Sequence, residues 1–334
     1  MTAGLRGTSL SVALVALLVA SLIVTGCGSS SGSSSASAGG STVPSASSTA
    51  SARAGTPIVA VGAENEYANV ISQIGGRYVR TSAIMSNPNT DPHTFEASAS
   101  VAQTVSQAKL IVQNGVGYDD FMNKIEAASP STSRKVIDVQ TILGLPDSTS
   151  NPHLWYDPRT MPAVAKALVS DLSALAPSHA AYFQANERKF DQSLRPWLTQ
   201  LRQFNARYPN TAVATTEPVA DYMLQAARIQ NLTPFSMQAD IMNGVDPAPQ
   251  NVSLQDSLFS EHKVKAFVYN QQVTDTVTEN FLQAAQSAGV PVVGVYETMP
   301  TPGYDYQSWM MAEVKALEKA VTSRISTEKL TGTN

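Results

Sequence analysis

The chain runs to 334 residues, 43% hydrophobic and 14% charged, with a formal net charge of −4. That balance offers neither a basic stripe nor an acidic run, so no nucleic-acid partner is expected and small ligands are favoured. One cysteine and four histidines leave little room for thiol chemistry and make each imidazole worth placing.

Residues 1–27 read as a processing signal rather than as part of a fold. Arg6 supplies the positive charge, and Leu10 to Val24 form an apolar stretch short of the ~20 residues that a membrane span needs. Val24-Thr25-Gly26-Cys27 closes this stretch and resembles a bacterial lipobox, in which cleavage leaves Cys27 as the lipid-bearing first residue. An uncleaved anchor with an incidental cysteine is the competing reading, and it too tethers an exported protein to a membrane. A lipidated Cys27 leaves no thiol for a disulfide, a thiolate metal site or a nucleophile. Residues 28–56 are mostly Ser, Gly, Ala and Thr, with too little apolar surface to offset the entropy of ordering. A flexible tether spanning roughly 30 Å is expected there.

About 280 residues remain, enough for one large or two ordinary domains. Ile58-Val59-Ala60-Val61, Tyr78-Val79-Arg80-Thr81, Leu110-Ile111-Val112 and Val136-Ile137-Asp138 read as strands of a first lobe, 57–176. A helical pattern then runs over 177–208, with Phe183, Phe190, Leu194, Trp197, Leu201, Phe204 and Tyr208 on one stripe. Pro177 suits its start, and Pro196 should remove a hydrogen bond and bend the axis. Such a helix extends about 45 Å, enough to cross two lobes, and its aromatic residues read as core. Val213-Ala214-Thr215, Ala266-Phe267-Val268-Tyr269 and Val290 to Val295 read as strands of a second lobe, 209–330. Apolar strands alternating with helices indicate parallel sheets covered on both faces, where ligands bind beyond the carboxyl ends of strands.

Two of the four histidines stand behind prolines in near-matching settings, Asp91-Pro92-His93-Thr94-Phe95-Glu96 and Asn151-Pro152-His153-Leu154-Trp155-Tyr156-Asp157-Pro158. Proline fixes its own φ and restricts the residue before it, so each histidine leaves a stiff, non-helical turn that can aim an imidazole. Imidazole is the commonest protein ligand for transition metals. For either histidine alone, packing or capping a loop is the competing reading.

These two motifs, with Tyr182 to Asn186 opening the long helix, resemble the zinc- and manganese-binding solute-binding lipoproteins of metal ABC importers. Ile74-Gly75-Gly76, Ala108 to Gly115 and Asn243 to Pro249 add to the likeness, which covers about Ile58 to Leu317. The resemblance implies an α/β fold of two Rossmann-like lobes with parallel sheets, joined by one long backbone helix, with metal held in the interlobe cleft. It also implies His93 and His153 as the first two metal ligands. A third ligand, at the end of the second lobe's first strand and five residues before an aromatic, carries over to Glu217, which precedes Tyr222 at that spacing. Taken alone, Glu217 would read as a charge favouring a helix N-terminus. Many members place the fourth, an aspartate, after the last strand. Here Glu297 is the nearest carboxylate and the preferred choice, with Asp305 as the alternative. His179 and His262 match no ligand position and are expected to be exposed.

Two neutral imidazoles and two carboxylates would neutralise one divalent cation, Mn²⁺ or Zn²⁺, with Glu217 in place of a third histidine tilting the choice towards manganese. The loop from Gln140 to Ser150 also lacks the histidine-rich insertion of many zinc-specific members. The expected protein is therefore a monomeric, lipid-anchored receptor on the extracytoplasmic face of a bacterial membrane, serving an ABC permease with its ATPase. A metallohydrolase, its zinc held by two histidines and a glutamate with one position open, is the competing class. No His-Glu-x-x-His, Gly-x-Ser-x-Gly or phosphate-binding glycine loop is present to support it. A metal-binding adhesin without a transport role is a third.

Overall fold

The computed structural model describes residues 56–89 and 91–332, so the expected leader, Cys27 and the tether up to Gly55 lie outside the described residues. Among the described residues eight strands form two four-stranded sheets, and every pairing within them is parallel. The first contains β1 (Ile58–Glu64), β2 (Val79–Met85), β3 (Leu110–Gln113) and β4 (Lys135–Asp138) in the order β2-β1-β3-β4. The second contains β5 (Ala212–Thr215), β6 (Gln230–Asn231), β7 (Ala266–Asn270) and β8 (Val292–Val295) in the order β6-β5-β7-β8. The two lobes thus repeat one strand order. β3, β5, β7 and β8 are buried along their whole length, which is why they appear in the sequence as unbroken apolar runs.

Local chemistry sets several boundaries. β8 starts at Val292 rather than Val290, because Pro291 has no N–H to give to a ladder. β6 has no signal in the sequence: it is two polar residues, defined only by pairing with Ala212 and Val213 of β5. The helix Asn65–Gly75 leaves β1 so closely that a Cβ on Gly62 would collide with the Ala68 backbone. Past the last helix, Thr327 pairs with Val293, and Gly294 N donates to the Thr327 carbonyl at 2.9 Å. This covers the open edge of β8, and a side chain on Gly294 would run into the Glu328 carbonyl.

Between the lobes a turn of 3₁₀ helix, Pro177–His179, leads into the helix Ala180–Arg207. The helix is continuous through Pro196. Pro196 and Gln192 are both exposed, so the carbonyl that loses its donor can turn to water. Phe183, Phe190, Leu194, Trp197, Leu201 and Phe204 are buried, each contributing roughly 1.5–3 kcal/mol. Tyr208 is only half-buried, with its hydroxyl donating to Glu318 Oε1 at 2.7 Å. The stripe lies in one continuous core that includes Tyr67, Leu110 and Trp155 of the first lobe and Val213, Trp309 and Leu317 of the second. Packed side chains, not a loose strap, therefore hold the two sheets' loops opposite each other.

Candidate metal centre

Four loops converge at the carboxyl ends of the strands. His93 lies in the 3₁₀ turn Pro92–Thr94 beyond β2, and His153 immediately precedes the 3₁₀ turn Leu154–Tyr156 in the same lobe. From the second lobe come Glu217, two residues beyond β5, and Glu297, two residues beyond β8. One donor atom from each of the four lies within 4.8 Å of the others. His93 Nε2 and His153 Nε2 each stand 3.2 Å from Glu297 Oε2, and His93 Nε2 is 3.9 Å from Glu217 Oε2. Four donors about 2.0–2.1 Å from one ion would be about 3.4 Å apart, so the spacing suits a single small cation.

The residue before each proline explains the turns. Asp91 Oδ1 accepts from the His93 backbone N–H at 2.8 Å, and Asn151 Oδ1 accepts from that of His153 at 3.0 Å. Both are side-chain mimics of a backbone turn, stiffened by the intervening proline. Asn151 does more. Its Nδ2 donates to the Pro218 carbonyl at 2.8 Å, which orients the amide, and its Oδ1 also accepts from His153 Nδ1 at 2.8 Å. That bond puts the ring proton on Nδ1 and leaves the Nε2 lone pair directed at the cluster. Asn114 supports the same loop by donating to the Pro152 carbonyl at 2.8 Å, and Tyr67 donates to Asn114 Oδ1 at 2.7 Å.

The carboxylates are held just as firmly. Asn270, the last residue of β7, donates from Nδ2 to Glu297 Oε1 at 2.7 Å and to Glu217 Oε1 at 3.3 Å. Tyr118 donates its hydroxyl to Glu297 Oε2 at 3.0 Å. Gln272 Oε1 accepts from the backbone N–H groups of Glu297 and Thr298, both at 2.7 Å. Asn65 of the first lobe exchanges two hydrogen bonds with the Met299 backbone, at 2.8 and 3.0 Å. The loop carrying Glu297 is thus clamped from both lobes. Glu217 Oε2, by contrast, is buried and accepts no hydrogen bond. An orphaned acceptor of that kind is costly unless a cation or proton meets it.

Electrostatics point the same way. Burial, followed by the charge of Glu297, pushes Glu217 well above the usual carboxylate range. Burial alone would raise Glu297 too, but the His153 and His93 rings beside its Oε2 carry it far below that range. Burial lowers His153. His93 is also pulled down by burial, yet its hydrogen bond to Glu297 and that group's charge leave it raised overall. Two buried carboxylates facing two imidazoles form a pocket that favours positive charge.

Asp305, the alternative fourth ligand, is not among the side chains brought together. It is the N-cap of the helix Tyr306–Ser323, its Oδ1 accepting from Ser308 N at 2.8 Å. His262 is exposed, as expected. His179 is not: it is half-buried and stacked on Tyr78, with ring centroids 3.7 Å apart. Sequence reasoning misses Asn270, Tyr118 and Gln272, whose roles depend on tertiary placement that no local spacing announces. It also misses the buried acids Glu64, Glu66 and Asp119, all raised chiefly by burial, Asp119 to about 7.

Twin parallel sheets on one packed helix, with polar loops meeting between them, define a two-lobed α/β binding protein. The family described as ZnuA, zinc-uptake complex component A, periplasmic, matches residues 61–320, and the chain belongs to it. Its members are solute-binding proteins of ABC transporters, so the protein is not an enzyme and the metallohydrolase reading falls. The chain is similar to the zinc-binding protein TroA of Treponema pallidum, 26% identical over 149 residues that make up 43% of this chain and 48% of that one. It is 21% identical over 253 residues to the metal ABC transporter substrate-binding lipoprotein SloC of Streptococcus mutans, covering 72% and 80%. A crystal structure of ZnuA superposes with a TM-score of 0.67 at 20% identity, over 80% of this chain and 100% of that one. The Mn-bound periplasmic metal-binding protein of Candidatus Liberibacter asiaticus gives 0.65 at 17%, over 79% and 99%. These structural likenesses establish the two-lobed fold.

Proposed function

We propose that the protein is an extracytoplasmic receptor that captures one divalent transition-metal ion, Mn²⁺ or Zn²⁺, and delivers it to an ABC permease with its ATPase. His93, His153, Glu217 and Glu297 are the ligands in this reading. The observation that carries it is the convergence of two imidazoles and two carboxylates, one oxygen of which is buried without a partner. Two neutral imidazoles and two carboxylates balance a 2+ charge. The names of relatives support the cargo and the anchoring: TroA is called zinc-binding, and SloC and the MntA of Halalkalibacterium halodurans are called lipoproteins, MntA manganese-binding. Lipidation of Cys27 would then hold a monomer at the membrane, and among the described residues no helix is long and apolar enough to cross it.

Thermal denaturation of chelator-treated protein tests the reading. Mn²⁺ or Zn²⁺ at a thousandfold excess over Kd should stabilise the fold by about 4 kcal/mol. A melting temperature unmoved by both ions would refute it.

A further inference from the structure

The two carboxylates of the cluster share one restraint. Asn270 is completely buried, and its Oδ1 accepts from the Gln272 backbone N–H at 3.0 Å. That bond orients the amide so that Nδ2 faces the cluster, where it donates to Glu297 Oε1 at 2.7 Å and Glu217 Oε1 at 3.3 Å. The same two oxygens are thereby turned from the histidines, while the oxygens facing His93 are Glu217 Oε2 and Glu297 Oε2.

Resting on the ligand set proposed above, we infer that Asn270, without touching the ion, limits both Glu217 and Glu297 to one metal bond each. A bidentate carboxylate would have to bring its Oε1 round to the ion and give up its bond from Asn270. The donor left behind would be buried with no acceptor, a penalty of roughly tenfold or more in affinity for each bond lost. Two imidazoles and two monodentate carboxylates make a four-coordinate site. Four N/O protein donors suit Zn²⁺, whereas an ion that prefers six oxygen-rich ligands, such as Mn²⁺, needs further donors. Donor type alone tilts the choice towards manganese; the restraint on denticity reverses it. Tyr118 plays a different part, because it bonds Glu297 Oε2 and leaves Oε1 under the control of Asn270.

Co²⁺ reports coordination through its visible absorption, intense when four-coordinate and weak when six-coordinate. The purified chain loaded with Co²⁺ should give the intense form. Asn270→Ala should lose several-fold in intensity, and its preference for Zn²⁺ over Mn²⁺ in direct competition should fall by about tenfold or more. Asn270→Ser, which retains one donor, should fall between the two and serves if the alanine variant does not fold. Tyr118→Phe should weaken both ions together and leave their ratio unchanged, which separates denticity control from general support. A weak, six-coordinate spectrum in the unmodified protein would overturn the inference, as would Asn270 variants that keep both intensity and preference. Protein that binds none of the three ions would instead refute the receptor reading itself.

Discussion

The Asp91-Pro92-His93 and Asn151-Pro152-His153 turns share a plan and end in different surroundings. In each, an acidic or amide side chain caps the histidine's own backbone N–H across a proline. His153 is wholly buried, its Nδ1 is tied to Asn151, and burial lowers its pKa. The His93 side chain keeps 25% of its surface open to solvent, and Glu297 raises its pKa against the effect of burial. One local motif therefore yields a buried imidazole with a lowered pKa in one place and a partly solvent-open imidazole with a raised one in the other. Tertiary burial and the partner of the ring, not the motif, decide which.

Mutating each histidine is the strongest way to break this comparison. His153→Ala removes a partner of the buried Glu297 where solvent has no access, and should weaken metal binding on the order of 100-fold or more. His93→Ala opens a corner that water can fill, and should cost nearer about tenfold. Isothermal calorimetry with Zn²⁺ decides between them, and equal losses would erase the distinction. Next come the residues before the prolines. Asn151→Ala frees the His153 tautomer and should cost about 10–100-fold in affinity, whereas Asp91→Ala loses one backbone cap and should cost about fivefold, measured in the same way.

Proton release sharpens the contrast further. His93 and Glu217 are both raised, so before metal arrives they hold protons at higher pH than ordinary side chains, and an incoming cation must displace them. Affinity should therefore fall as pH drops through and below these raised values. His153, being lowered, adds nothing near neutrality. Calorimetry in buffers of different ionisation enthalpy should show net proton release that is smaller in His93→Ala. The smallest effect is expected at Asp305→Ala, which should leave metal binding unchanged and cost about 1 kcal/mol of stability through the lost helix cap, read from denaturant unfolding.

How much of this the sequence discloses follows from the range of each interaction. Strands such as Leu110–Gln113 and Ala266–Asn270 stand out because burial on both faces demands unbroken apolar runs, and the stripe from Phe183 to Phe204 because a helix has one periodicity. The Pro-His turns are legible because their caps are two residues away. Glu297 and Asp305 look alike in the sequence, since both are carboxylates after the last strand; the capping bond with Ser308 and the two histidines 3.2 Å from Glu297 separate them. Asn270 gives no sequence signal at all. Its partners lie 53 and 27 residues away, and a polar residue at a strand end carries no pattern that points to them. His179 reads as a surface residue because the ring of Tyr78, on which it stacks, belongs to a distant segment.

The most direct test is anomalous diffraction from crystals of the protein soaked in Zn²⁺ after chelator treatment. The account predicts one strong peak between the lobes, about 2.0–2.2 Å from His93 Nε2, His153 Nε2, Glu217 Oε2 and Glu297 Oε2. A crystal with no peak among these four side chains, or with its only ordered ion bound elsewhere, would contradict it.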